Sequence, residues 1–154
     1  MLSRVATIVA CTEKVPLPTA FERYAQIDQA AYDFAPIDPP AALVALAASK
    51  TERPLQPVWA KIIRMHPGDY LLAHHDHEHD DHRVELILDL SPAVVPDAEV
   101  RYRRGGNVFF RFPSQPGHAS IVERAPDAQA YHTYISKLHT GALVQRLVLL
   151  LAEA

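Results

Sequence analysis

The chain is poor in cysteine and has no excess of basic charge. Cys11 is the only cysteine among 154 residues, so no internal disulfide can form, and we expect Cys11 to be a small core residue in a reducing compartment. A formal net charge of -3 offers no basic field and argues against nucleic acid as the main partner. No apolar run approaches the length of a membrane span, and no convincing cleavage site follows the first residues. We therefore expect a cytoplasmic protein with no membrane partner.

The length fits a single domain, with residues 1–154 forming one compact unit. The sequence has neither internal repeats nor a linker. Residues 3–11 are predicted as a strand, and residues 20–32 and 41–49 as helices, the second with Asp38 as its N-cap and prolines in its first turn. Residues 1–56 are thus interpreted as a largely helical support segment for a core at 57–154.

From residue 57 onward the pattern changes to short β-rich runs separated by turn residues. Pro67-Gly68 and Gly105-Gly106 supply two of the turns. Residues 143–154 read as either a buried helix or a core strand, and the branched Val144 and Val148 favour a strand. Mainly antiparallel β structure, as a sandwich or barrel with N-terminal helices, is the predicted fold class. The predicted strands are 58–65, 70–74, 84–90, 99–103, 108–112, 119–123, 131–135 and 144–151.

Residues 74–82 read His-His-Asp-His-Glu-His-Asp-Asp-His. Each of these nine side chains can donate an oxygen or an imidazole nitrogen to a metal ion, so a metal site is the first hypothesis. A solvated acidic turn, or a tract that binds metals loosely and unspecifically, is the simpler alternative.

Within this tract, His74 and Asp76 have the i, i+2 spacing that places two side chains on one side of a strand. His118, after a strand and a proline-rich turn, is the predicted third ligand from a distant strand. Two histidines and one carboxylate on one face form the facial triad of non-haem Fe(II) oxygenases.

Two segments carry a resemblance to a known family. The segment 68–76, followed by Arg83 and the strand 86–91, and the segment 106–113, followed by His118 and Val122, resemble Fe(II)/2-oxoglutarate dioxygenases of the prolyl-4-hydroxylase-like group. The resemblance covers about residues 58–151. It implies a double-stranded β-helix, a jelly-roll or cupin-like barrel, with Fe(II) held by His74, Asp76 and His118. It also implies 2-oxoglutarate as cosubstrate, and hydroxylation or oxidation of a C–H bond as the reaction.

The chain departs from the family pattern at the arginine that binds the far carboxylate of 2-oxoglutarate. The family usually has this arginine about ten residues past the distal histidine, where residues 128–132 contain no Arg or Lys. Arg146 and Arg124 are the two substitutes. Arg146 is preferred because it leads into a buried strand and has a structural reason to point into a barrel mouth.

Other interpretations remain open. A cupin-type metalloenzyme would use His75, His77 and His118, and a non-catalytic module would bind Zn(II) or Ni(II) through the tract 74–82 alone. His132 and Tyr134, two apart on one predicted strand, are candidates to line a pocket. The expected substrate is a small molecule, a peptide or a carrier-bound group, and a possible homodimer would complete the site from a second subunit.

Overall fold

The computed structural model of the chain describes residues 5–72, 83–125 and 127–154. This part of the chain forms one helix, α1 (Ala41–Thr51), and eleven strands that belong to one sheet. The strands are β1 (Ala6–Ala10), β2 (Glu22–Gln26), β3 (Ala30–Ile37), β4 (Leu55–Met65), β5 (Tyr70–Leu71), β6 (Val84–Asp89), β7 (Val100–Arg104), β8 (Asn107–Phe112), β9 (His118–Glu123), β10 (Gln129–His132) and β11 (Val144–Glu153).

The strand order is β1-β9-β6-β11-β4-β3-β5-β10-β7-β8, and β2 pairs with β3. We call β9, β6, β11 and β4 the first half of the sheet, and β5, β10, β7 and β8 the second half. β3 joins the halves because it pairs with both β4 and β5. The sheet bends into a nearly closed, jelly-roll-like barrel, as the resemblance implied. No helix in the described ranges is long and apolar enough to cross a membrane.

β11 lies at the centre of the first half, between β4 and β6. Its first eight residues are buried. Both faces of the strand are therefore covered, which explains the continuous apolar run from Leu147 to Leu151. The prediction of a strand in this segment is confirmed. Leu147 and Leu149 belong to the cluster that packs against α1, whereas Val148 belongs to the cluster inside the barrel. Arg146 has the parity of Val148, so its side chain is on the barrel side.

The predicted N-terminal helices are wrong for residues 20–32. This segment forms the hairpin of β2 and β3, which turns at Asp28 with φ 63°. Buried Ala30 and Tyr32 are spaced by two, as a strand requires. β3 finds hydrogen-bonding partners on β4 and β5, and this pairing outweighs the helical spacing of the local sequence.

The second predicted helix is confirmed as α1, although its start differs from the prediction. Pro40, not Asp38, occupies the N-cap, and no side chain caps the helix there. The helix ends at Glu52 in a left-handed conformation, φ 55°. The predicted turn at Gly105-Gly106 is also confirmed: both glycines have positive φ and join β7 to β8 as a two-residue hairpin.

Candidate functional site

The His/Asp tract at 74–82 lies outside the described residues, and so do the predicted ligands His74 and Asp76 and the alternatives His75 and His77. The described chain stops at Leu72 and resumes at Arg83. Within the described ranges, no group of three or more His, Cys, Asp or Glu side chains could hold a metal ion. Any metal site of the predicted kind therefore combines residues of the tract with groups on the barrel.

His118, the predicted distal ligand, is the first residue of β9. Its ring Nδ1 lies 3.3 Å from the carbonyl oxygen of Pro116. Because β9 alternates and Val122 packs inside the barrel, His118 also has the parity of the barrel side. β9 pairs with β6 so that Glu123, not His118, lies beside Val84. His118 is thus about 17 Å along the strand from the point where the chain leaves the tract.

Arg146 is almost fully buried, with 1% of its surface exposed. It pairs across the sheet with Ile63 on β4 and Asp89 on β6. Its guanidinium Nη1 donates a hydrogen bond of 2.9 Å to Nδ1 of His132 and lies 3.9 Å from the sulfur of Met65. No carboxylate of the described residues forms a salt bridge with it.

The nearest acidic neighbour of Arg146 in the sheet is already engaged. Both carboxylate oxygens of Asp89 accept backbone N–H groups, from Ser91 at 2.9 Å and Gln115 at 2.8 Å. Burial lowers the pKa of Arg146 to about 10, and the charge of Asp89 opposes this shift. Arg146 is therefore a cation at neutral pH that is held away from water, and no carboxylate of residues 5–72, 83–125 or 127–154 bonds to it directly.

His132 on β10 is buried next to this cation. Its neighbours across the sheet are Leu71 on β5 and Val100 on β7. Burial, and then the charges of Arg146 and Lys61, hold the pKa of His132 well below its usual range. The ring is therefore neutral at physiological pH, which is the state that ligates metals.

Sequence reasoning identified His132 as a pocket residue and not as a ligand candidate. The pocket prediction is confirmed, since His132 and Tyr134 both line a groove of about 440 Å³. The alternation of β10 is the signal that could have indicated His132 as a buried, inward-facing ligand candidate. Ala130 and His132 are buried, whereas Gln129 and Tyr131 are partly exposed.

Lys61 adds a second cation on the barrel side of β4. Its Nζ lies 4.9 Å from the ring centroid of Trp59 and 5.6 Å from that of Tyr32. Stacking on aromatic faces stabilises an ammonium group in such a partly dry place. Lys61 and Arg146 together make the barrel interior near His132 electropositive, which favours an anionic ligand.

Three solved structures with this architecture are known oxygenases. The first is a 2OG-Fe(II) oxygenase family oxidoreductase from Burkholderia pseudomallei, with a TM-score of 0.61, 12% identity, and 86% of this chain and 73% of that chain covered. The second is the viral collagen prolyl hydroxylase of Paramecium Bursaria Chlorella virus-1 in a 2OG complex, with a TM-score of 0.60, 10% identity, and 80% of each chain covered. The third is a Pseudomonas putida prolyl-4-hydroxylase, with a TM-score of 0.61, 11% identity, and 86% of this chain and 77% of that chain covered. The chain has the fold of the 2OG-Fe(II) oxygenases. No protein-family model and no curated protein matches its sequence.

Within this 2OG-Fe(II) oxygenase fold, the two candidate arginines differ in what they already bind. Arg124 is buried and forms a salt bridge of 3.3 Å with Glu85, and its Nη2 donates to the carbonyl oxygen of Ala128 at 3.0 Å. Glu85 also accepts a hydrogen bond of 2.5 Å from the Tyr102 hydroxyl. Arg124 is therefore part of an internal network, whereas Arg146 lacks a carboxylate among the residues that the structure describes. The donor set at Arg146 fits a bound dicarboxylate such as 2-oxoglutarate.

Proposed function

We propose that the protein is an Fe(II)- and 2-oxoglutarate-dependent oxygenase that hydroxylates or oxidises a C–H bond of its substrate. The observation that carries this proposal is Arg146, a buried cation on the barrel side with no carboxylate partner in the described chain, in a barrel with the fold of these oxygenases. A planar guanidinium pairs with a carboxylate through two parallel hydrogen bonds and stays charged when buried. Arg146 would bind the far carboxylate of 2-oxoglutarate, and Arg124 would remain structural.

For the metal, we propose that His74 and Asp76 are joined by His132, in place of the predicted His118. β5, the last strand before the tract, pairs with β10 at Leu71 and His132, and His74 follows Leu71 by only three positions in the sequence. In this structure Nδ1 of the neutral His132 ring accepts from Arg146, so the ring proton is on Nε2. Nδ1 would become a ligand once Arg146 turns to the cosubstrate carboxylate, and Nε2 would become one once the proton moves to Nδ1. When bound, Fe(II) and 2-oxoglutarate supply the oxidation of the C–H bond by dioxygen. The chain itself supplies the ligands, the cation for the cosubstrate and a dry barrel interior.

Binding of 2-oxoglutarate tests the role of Arg146. Anaerobic titration of the Fe(II)-loaded protein with 2-oxoglutarate should produce a weak visible charge-transfer absorption. Loss of a charge-assisted contact worth about 1.5–3 kcal/mol should weaken binding by roughly 10- to 150-fold in Arg146→Gln. Arg104→Gln is the matched control, because Arg104 is exposed and pairs with exposed Asp127. Equal affinity in the two variants would contradict the proposal.

Metal content tests the ligand set. We expect about one Fe(II) per chain in the wild type, loss of it in His74→Ala, Asp76→Ala and His132→Ala, and retention in His118→Ala. Loss in His118→Ala with retention in His132→Ala would restore the predicted triad. Retention in both would mean that the tract binds metal by itself, as a non-catalytic module does. Loss in His77→Ala with retention in His74→Ala would indicate the cupin ligand set.

A further inference from the structure

The outer face of the second half of the sheet carries a cluster of arginines and tyrosines. Val100 and Tyr102 of β7 are buried inside the barrel, so Arg101 and Arg103 point outward. Ala130 of β10 is buried in the same cluster, so Tyr131 also points outward. We call this surface the Arg/Tyr face. It consists of Arg101, Arg103, Arg111, Tyr70, Tyr131 and Tyr134.

The arginines of the Arg/Tyr face lie close together. Arg111 on β8 is directly opposite Arg101 on β7, and Arg101 is directly opposite Tyr131 on β10. Arg103 follows Arg101 on the same side of β7, about 7 Å further along the strand. Like charges placed directly opposite each other on neighbouring strands destabilise a sheet. The arrangement therefore costs stability unless an anion compensates for it.

Only part of that compensation comes from the described residues. Glu99 forms ion pairs with two arginines. Its Oε1 lies 2.5 Å from Nε of Arg101 and 3.7 Å from Nη1 of Arg111. Arg103 instead donates to the amide oxygen of Gln129 at 3.2 Å, and its guanidinium carbon lies 6.0 Å from the ring centroid of Tyr131. In the part of the chain that the structure describes, three arginines of this face thus share one carboxylate, although the whole chain has a net charge of -3.

The groove of about 440 Å³ that reaches His132 opens on this face. Its walls include Tyr70, Tyr131 and Tyr134 together with Arg101, and Tyr134 is 52% exposed. Tyrosines offer apolar area with a polar edge, and arginines bind carboxylates. An extended peptide with acidic side chains matches both. A nucleic acid matches less well, because its continuous phosphate charge needs a long basic track and a chain with excess positive charge.

We propose that the Arg/Tyr face binds an acidic peptide segment and that the groove leads this segment to the barrel at His132. The role of the peptide as substrate rests on the proposed oxygenase function, whereas its binding does not. Binding can therefore be measured without iron and without 2-oxoglutarate, so that failure of this inference is distinguishable from failure of the oxygenase proposal.

The test uses fluorescein-labelled peptides that are all about 12 residues long and differ in charge. This length is sufficient, because contacts to three neighbouring arginines span only a few residues of an extended peptide. One peptide alternates Glu with Gly and Tyr, the second has Gln in place of Glu, and the third has Lys. Fluorescence anisotropy with metal-free wild-type protein should show binding of the Glu peptide, weaker binding of the Gln peptide and none of the Lys peptide. The affinity for the Glu peptide should fall as salt is raised.

The double variant Arg103→Gln/Arg111→Gln should bind the Glu peptide roughly tenfold more weakly, as expected for two exposed charge pairs. Lys50→Gln is the matched control, because Lys50 is exposed on α1, which covers the first half of the sheet. Thermal unfolding checks that both variants are folded. Unchanged affinity in the double variant, no binding of the Glu peptide, or tighter binding of a labelled oligo-dT would each overturn the inference.

Discussion

Replacing Arg146 by Met should make the ligand-free protein more stable and reduce its stabilisation by 2-oxoglutarate. Burial lowers the pKa of Arg146 from 12.5 to about 10, and this difference corresponds to roughly 3 kcal/mol that disfavours the folded state at neutral pH. The substitution also removes the hydrogen bond to His132, which contributes about 2 kcal/mol as a bond from a charged donor. The net expectation is a gain of about 1 kcal/mol, or a rise in Tm of about 2–4 °C for a domain of this size.

The assay is urea unfolding with and without 2-oxoglutarate, with Zn(II) in place of Fe(II) to prevent turnover. At a ligand concentration about 100 times its Kd, the wild type should gain about 2.7 kcal/mol. At the same concentration Arg146→Met should gain only about 0.3–1.4 kcal/mol, because its Kd should be roughly 10- to 150-fold higher. The reasoning is refuted if ligand-free Arg146→Met unfolds more easily than the wild type and 2-oxoglutarate stabilises both proteins equally, because Arg146 would then be a structural residue like Arg124.

Three further predictions concern stability. Glu85→Gln should lower the free energy of unfolding by about 3–5 kcal/mol in urea, because it removes the carboxylate that faces buried Arg124. Leu43→Ala on α1 should cost about 2–5 kcal/mol, whereas the control Leu138→Ala, at a residue 90% exposed, should stay within about 0.5 kcal/mol. Burial raises the pKa of Tyr32 above 10, so stability should fall as pH rises past about 10, and Tyr32→Phe should reduce that fall; an equal fall in both proteins would contradict this explanation.

The β-rich part of the fold was predictable because its strands carry the signals that sequence patterns report. β6 and β11 contain the apolar runs Leu86–Leu88 and Leu147–Leu151, because both faces of these strands are covered. The glycine pair at 105–106 marks a hairpin that few other residues adopt easily. The hairpin of β2 and β3 was missed because its stability comes from β4 and β5, which lie far away in the sequence. A local pattern cannot report such partners.

The candidate site was predictable in part. Arg146 was preferred over Arg124 from its position before a buried strand, and its lack of a carboxylate partner in the described residues supports that preference. His118 was predicted as the third ligand because it follows a strand and a turn that resemble the family, and His132 was predicted only as a pocket residue. With His132 as the ligand, as we propose, the spacing to Arg146 is 14 residues, where the family usually has about ten. The segment between β10 and β11 has eleven residues, and a loop of that length changes the spacing without moving the strands. The metal content of His118→Ala and His132→Ala distinguishes between the two histidines.

The two ends of the sheet, β1 and β8, are not joined by a ladder in the described part of the chain, and a cavity of about 270 Å³ lies where Ala6 and Phe109 come near each other. On the opposite side, β3 joins the two halves of the sheet by pairing with β4 and β5. The barrel is thus closed by hydrogen bonds at β3 and open between β1 and β8. Amide hydrogens of β8 should therefore exchange with solvent faster than those of β11. If the interior widens to admit a bulky ligand, the strands should separate first between β1 and β8.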